Sequence, residues 1–150
     1  MNSIRDLMTH DHRHCDDLFV AVEGFVGKSD WGQAGKAFDG FRAAMLAHFR
    51  SEETSLFPAF EAQTGMTMGP TQVMRSEHEQ MRQLIEACHA SLVAHDADDY
   101  LGYAETLLIM MQQHNLKEEN VLYPMCDQHL SSRSTELLAL LESGLRDRGA

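Results

Sequence analysis

The sequence has few basic residues. It contains 12 Lys and Arg against 23 Asp and Glu, which gives the 150-residue chain a net charge of −11. Because so acidic a surface repels phosphate backbones, we expect no nucleic acid partner. The chain also lacks the run of ~20 apolar residues that a membrane span needs. No apolar signal segment follows Met1, so we expect no membrane partner either.

Cysteine and proline are also scarce. The three cysteines, Cys15, Cys88 and Cys126, are an odd number without CxxC spacing, which argues against a disulfide framework and a zinc ribbon. This usage is typical of a reducing compartment, so we expect a cytoplasmic protein. The prolines occur at positions 58, 70 and 124. We expect Pro58 and Pro124 to kink or end the helices that carry them.

Apolar residues make up 43% of the chain and recur at steps of three and four along four segments. This pattern predicts four amphipathic helices, and their short connections favour antiparallel neighbours. We therefore predict an all-α fold, an antiparallel up-down four-helix bundle with a short C-terminal helix over residues 131–147. A chain of this length forms one domain, residues 1–150. Ser29 or Asp30 is expected to cap the second helix, and Asp98 or Asp99 the fourth.

Two stretches of the chain match each other. Residues 48–58 read HFRSEETSLFP, and residues 114–124 read HNLKEENVLYP. The offset is 66 positions (114 − 48), and the same offset separates His12 from His78 and Glu52 from Glu118. We therefore predict an internal twofold repeat, with units of roughly residues 4–63 and 70–129.

The repeated residues have the chemistry of a metal site. His and Glu four positions apart project from one face of a helix, one turn apart. All the repeated His and Glu fall on the apolar stripes, and a buried carboxylate costs several kcal/mol, roughly, unless a partner neutralises it. A metal ion is such a partner, and imidazole with carboxylate suits iron, manganese or zinc rather than calcium. Six ligands in two equal halves favour two ions. The predicted ligands are His12, His48, Glu52, His78, His114 and Glu118.

Other polar residues near these positions are given different roles. Glu53 and Glu119 lie about 100° around the helix from their neighbours, so we interpret them as solvated or outer partners, with direct ligation as the alternative. His10 and His14 are expected on the surface, nearly opposite His12. The methionines on the apolar stripes are expected to line the site rather than bind metal, because thioethers are poor ligands for iron that is held by imidazoles and carboxylates.

The motifs together resemble the hemerythrin-like family, the HHE cation-binding domains. The resemblance covers roughly residues 4–126 and rests on the following elements: Asp11-His12, His48–Glu52, Glu77-His78, His114–Glu118 and the doubled EExxL(F/Y)P signature. It implies a non-haem di-iron centre inside a four-helix bundle. His12 and His48 would bind one iron, and His78 and His114 the other. Glu52 and Glu118 would bridge the two irons, with an oxo or hydroxo group completing the bridge; Mn or Zn are substitutes.

The chain departs from the oxygen-carrying members at one position. Those have a second histidine on the third helix, one turn after the first, where this chain has Arg82; the repeat counterpart is Asp16. Water, Glu53 or Glu119 could fill the place of that histidine. We expect a protein that binds O2 or a related small ligand, NO or peroxide, rather than a dedicated enzyme. The alternatives are a di-iron enzyme that detoxifies peroxide or NO, and an iron- or oxygen-sensing module.

Overall fold

The computed structural model describes residues 2–147, and no strand occurs in that range. The predicted domain of residues 1–150 extends beyond it by residue 1 and residues 148–150. The α-helices are α1 (Ile4–Gly27), α2 (Trp31–Ser51), α3 (Phe57–Thr64), α4 (Pro70–Val93), α5 (Ala97–Lys117), α6 (Tyr123–His129) and α7 (Ser134–Arg146). The π-helical turns Glu52–Leu56 and Glu118–Leu122 join α2 to α3 and α5 to α6. The predicted all-α fold is confirmed.

The helix boundaries repeat with the same register as the motifs. Helices α1 and α4 each contain 24 residues and begin 66 positions apart (70 − 4). Helices α2 and α5 each contain 21 residues and are N-capped by Asp30 and Asp96, whose carboxylates accept from the backbone N–H three residues later. The cap predicted at Asp30 is confirmed. The cap predicted at Asp98 or Asp99 is wrong, because Asp99 supplies the N–H that the true cap, Asp96, accepts.

The helices pack as a closed ring of neighbours. Helix α1 lies along α2, α4 lies along α5, and contacts of α2 with α4 and of α1 with α5 join the two pairs. Helix α7 packs on α2 and α1. One apolar cluster includes Phe19, Phe41 and Ile85, and a second includes Ile4 and Leu56. Helices α1 and α4 pass from one cluster to the other, and α2 and α5 reach the second cluster through the segments that follow them. The predicted ligands lie near the boundary between the clusters.

The two proline motifs do not end their helices. Pro58 has no N–H and cannot donate within the preceding turn. The chain widens there instead, and the Phe57 N–H donates to the Glu52 carbonyl five residues back. The Tyr123 N–H likewise donates to the Glu118 carbonyl, and the helices continue to Thr64 and His129. Such π-helical turns are common at functional sites, and here each begins at a predicted ligand.

The contact between α7 and α2 generates a test of the packing. A Cβ on Gly144 would overlap Ser51 Oγ and lie 3.3 Å from Ser51 Cβ. We predict that Gly144→Ala lowers the free energy of unfolding by about 1–3 kcal/mol in a urea titration. Adding Ser51→Ala should recover part of this loss, since the overlapping hydroxyl is then absent. Gly24→Ala, where an added Cβ meets nothing within 4 Å, is the control and should not destabilise. Equal effects at both glycines would contradict the prediction.

Candidate metal centre

The structure brings the six predicted ligands together in the interior. Glu52, His78 and Glu118 have no exposed surface, and the other three histidines are at most 5% exposed. Two histidines come from the middle of α1 and α4, and two from the last turns of α2 and α5. The two glutamates are the first residues of the π-helical turns. Each helix pair therefore contributes two imidazoles and one carboxylate.

The donor atoms fall into two groups that share Glu118. Ligand atoms of the first group lie within 4.8 Å of one another, and its members are Glu52, His78, His114 and Glu118. The second group meets the same limit and consists of His12, His48 and Glu118. His12 Nε2 is 3.0 Å from Glu118 Oε1, and His114 Nε2 is 3.2 Å from the same oxygen. One carboxylate thus contacts imidazoles from both repeat units.

Outer carboxylates hold the imidazoles of α2 and α5. His48 Nδ1 donates to Asp11 Oδ2 at 2.8 Å, and His114 Nδ1 donates to Glu77 Oε1 at 2.8 Å. An ionised carboxylate only accepts, so each proton resides on Nδ1. The inward Nε2 is then available as a metal ligand, which is the role such outer partners play. Asp11 and Glu77 directly precede His12 and His78 in the sequence, but their function depends on a histidine 37 residues away.

Glu119 and Glu53 do the same for the imidazoles of α1 and α4. His12 Nδ1 donates to Glu119 Oε2 at 2.7 Å, and His78 Nδ1 donates to Glu53 Oε2 at 2.7 Å. Both glutamates are only partly buried, and both bind the outer side of an imidazole. The geometry matches the interpretation of Glu53 and Glu119 as outer partners and not the alternative of direct ligation.

The carboxylates control the protonation of the cluster. Burial by itself lowers the pKa of His114, but the negative charge of Glu118 and the hydrogen bond to Glu77 outweigh burial and raise that pKa to about 10. The hydrogen bond from His114 lowers the pKa of Glu77 to about 2, against the opposing effect of burial. Without a metal the imidazoles therefore hold protons as counter-charges to the buried carboxylates. A metal ion must displace these protons in order to bind.

The donor atoms in the interior of the cluster are better placed to bind a metal ion than to form hydrogen bonds with one another. His78 Nε2 lies 3.1 Å from Glu52 Oε1, yet the contact is too poorly aligned for a hydrogen bond. His114 Nε2 and Glu118 Oε2 also have no hydrogen-bond partner. Such orphaned polar atoms are costly in a protein interior. Their residues belong to one group whose ligand atoms lie within 4.8 Å of one another, as the ligands of a cation do.

Tyr123 is the inner residue whose place the sequence did not indicate. Its hydroxyl donates to a carboxylate of the cluster, at 2.7 Å from Glu52 Oε2 and 2.9 Å from Glu118 Oε1. The hydroxyl oxygen is also 3.2 Å from His12 Nε2 and 3.3 Å from His48 Nε2. Burial and the two carboxylates raise the pKa of Tyr123 well above its ordinary value. The repeat counterpart Phe57 has no hydroxyl, so the two halves of the centre differ here.

The remaining polar candidates lie outside the cluster. His10 and His14 are exposed, as expected. Met8, Met45, Met74 and Met111 are buried in the apolar clusters on either side of the ligands.

Comparison with known proteins agrees with this arrangement. The family model described as the hemerythrin HHE cation binding domain matches residues 3–126, which is most of the chain. The chain belongs to the hemerythrin HHE family. The resemblance seen in the sequence is thereby confirmed. No curated protein and no solved structure gave a match.

Membership in the hemerythrin HHE family implies cation binding, and the buried His/Glu cluster could hold a metal ion. Among residues 2–147, no helix has the length and apolar character needed to cross a membrane.

Tyr123 provides a test of the hydrogen bonding in the metal-free cluster. We predict that Tyr123→Phe lowers the free energy of unfolding of the metal-free protein by about 1.5–3 kcal/mol, because a hydrogen bond to a buried charged group is lost. The ring itself should fit, since Phe57 occupies the equivalent position. Denaturant titration followed by circular dichroism measures the change. Tyr103→Phe is the control, because Tyr103 is 43% exposed and should change stability little. Equal stability of Tyr123→Phe and the parent protein would contradict the prediction.

Proposed function

We propose that this hemerythrin HHE domain is a non-haem di-iron protein. It binds O2 or a related small ligand, NO or peroxide, at a carboxylate-bridged centre inside an antiparallel four-helix bundle. The ligands are His12, His48, Glu52, His78, His114 and Glu118. Iron is the metal we expect from the family, with Mn or Zn as substitutes that the same donors accept.

The division of the donors into two groups that share Glu118 supports this proposal. Each group contains two imidazoles, with Glu118 in both, and its ligand atoms lie within 4.8 Å of one another. One ion does not readily take six bulky ligands from four helices. Two ions with carboxylates between them use all six and keep open positions for a small ligand, as in other carboxylate-bridged sites built in helical bundles.

The chain's own residues prepare the centre for such a ligand. Four outer carboxylates orient the imidazoles before any metal binds, so that little rearrangement is needed. The apolar clusters on either side exclude water from the six proposed ligands. Tyr123 holds a hydroxyl proton between Glu52 and Glu118. Bound iron would supply a redox-active Lewis acid at these positions.

One observation favours a second candidate, a di-iron enzyme that consumes peroxide or NO. Where the oxygen-carrying hemerythrins have a further histidine, this chain has Arg82, whose guanidinium donates to Glu53 and Glu79. Each half of the centre therefore offers two imidazoles. Fewer imidazoles leave more coordination positions open, and open positions favour turnover over stable binding.

Metal analysis with spectroscopy tests the proposal. The metal-free protein is reconstituted anaerobically with Fe²⁺, the iron is quantified, and O2, NO or peroxide is then added while absorbance and ligand consumption are followed. We expect two irons per chain and a spectral change that reverses when the ligand is removed. Well under two irons per chain would contradict the di-iron proposal. Continuous consumption of peroxide or NO would favour the enzyme.

Substitutions test which residues hold the metal. We predict that His48→Ala or Glu118→Ala abolishes stoichiometric iron binding, because each removes an inner donor atom. His10→Ala and His14→Ala are the matched controls and should keep full stoichiometry, since both side chains are exposed. Iron content after desalting measures all four variants. Full iron content in His48→Ala and in Glu118→Ala would contradict the ligand assignment.

A further inference from the structure

The internal symmetry of the domain is broken at the outer rim of the centre. On the α2/α4 side, the Phe49 ring stacks on His78 with centroids 4.1 Å apart and planes at 20°. The Arg82 guanidinium carbon lies 5.3 Å from the centroid of the Phe49 ring, and the guanidinium donates two hydrogen bonds to Glu53 at 2.7 and 3.0 Å. His78 has no exposed surface beneath this cover. The α2/α4 side is sealed.

The α1/α5 side carries different residues at the same repeat positions. The counterpart of Phe49 is Asn115, and the counterpart of Arg82 is Asp16; each pair is separated by 66 positions (115 − 49 and 82 − 16). A cavity of about 370 Å³ opens here, and Asp16, Asn115, Glu119 and His12 are among its lining residues. His12 retains 5% exposure where His78 has none. An amide and a carboxylate thus border an opening where the other side has an aromatic ring and a guanidinium.

This cavity ends at His12, which is one of the inner donors. His12 lines the cavity and also contacts Glu118, with 3.0 Å between Nε2 and Oε1. Glu119 lines the cavity as well and accepts from the outer nitrogen of the same ring. A single imidazole with its carboxylate partner therefore separates solvent in the cavity from the ligand layer. Rotation of the His12 side chain would connect the two.

The two sides also differ in the charged and polar side chains that an approaching divalent cation would meet. The cavity is lined by the carboxylates of Asp16 and Glu119 and the amide side chains of Gln112 and Asn115, with the cations of Arg13 and Arg5 beside Glu119. Oxygen donors of this kind bind divalent cations weakly, and an acidic cleft raises the local cation concentration. On the sealed side the guanidinium of Arg82 pairs with the carboxylates of Glu53 and Glu79, so that neither carboxylate is open to a cation.

We infer that the α1/α5 cavity is the route by which divalent metal ions reach the buried centre, with Asp16 as the residue that attracts them. The inference rests on the proposed metal-binding function and adds the side from which the metal ion enters. The ion first exchanges water for carboxylate and amide oxygens in the cavity, and then passes the His12 ring to the six inner ligands.

The rate of metal uptake tests the route. Metal-free protein is mixed with Co²⁺ in a stopped-flow instrument, and the visible absorption of the bound ion is followed. The variant Asp16→Arg with Asn115→Phe copies the sealed side onto the open one. We expect at least tenfold slower uptake with an unchanged final stoichiometry. Asp39→Arg is the control, because it makes the same change of charge at an exposed position of α2 and should leave the rate within twofold of the parent.

A second variant keeps the test independent of folding problems. Asp16→Asn changes one charge without changing shape, and we expect uptake about threefold slower or more, with a weaker dependence on ionic strength. Rates within twofold of the parent in both cavity variants, alongside full binding of two ions, would overturn the route and leave the proposed function standing. A parent protein that binds no Co²⁺ or Fe²⁺ would overturn both. If the double variant does not fold, Asp16→Asn decides.

Discussion

Two carboxylates without any exposed surface, Glu52 and Glu118, impose the main constraint on this structure. An ionised carboxylate in an apolar interior must be neutralised locally, and four imidazoles surround this pair for that purpose. Each imidazole in turn needs an acceptor for its outer nitrogen, which one of four further carboxylates supplies. The charges of these carboxylates and imidazoles therefore depend on one another, and removing one partner leaves another buried without compensation. The hydrophobic clusters above and below contribute stability, but the charged layer requires the helices to align in one register.

The repeat explains why the layer is nearly symmetric, and its departures explain why the halves of the centre are not equivalent. Every inner ligand and every outer carboxylate has a counterpart 66 positions away, with an aspartate in place of a glutamate at position 11. Among the inner donors, Glu118 belongs to both groups of ligand atoms and Glu52 to one. The other differences lie in the surroundings. Tyr123 adds a hydroxyl where Phe57 has none, and Asn115 opens a cavity where Phe49 closes one. Ions held by similar ligands would thus experience different hydrogen bonding and different access to solvent.

Much of the fold and of the candidate site could be predicted from the spacing of residues along the chain. The HxxxE pairs and the lone histidines on apolar stripes identified the six inner residues, because a helix places such positions on one face. The cap at Asp96 was missed, since three aspartates within four positions compete and only the start of the helix selects among them. The sequence predicted that Pro58 and Pro124 kink or end their helices, and it did not decide between the two. A widened turn accommodates the ring, and nothing in the spacing distinguishes such a turn from a helix end.

The sequence by itself determined the helical class, the repeat, the six candidate ligands and the family resemblance, because all of these depend on residue type and short-range periodicity. The tertiary structure alone decided which carboxylate holds which imidazole. Asp11 serves His48 and Glu77 serves His114, each across two helices, although each lies next to another ligand in the chain. It also placed the Tyr123 hydroxyl between the glutamates and left the centre sealed on one side and open on the other. These features depend on distances between helices, which no local pattern encodes.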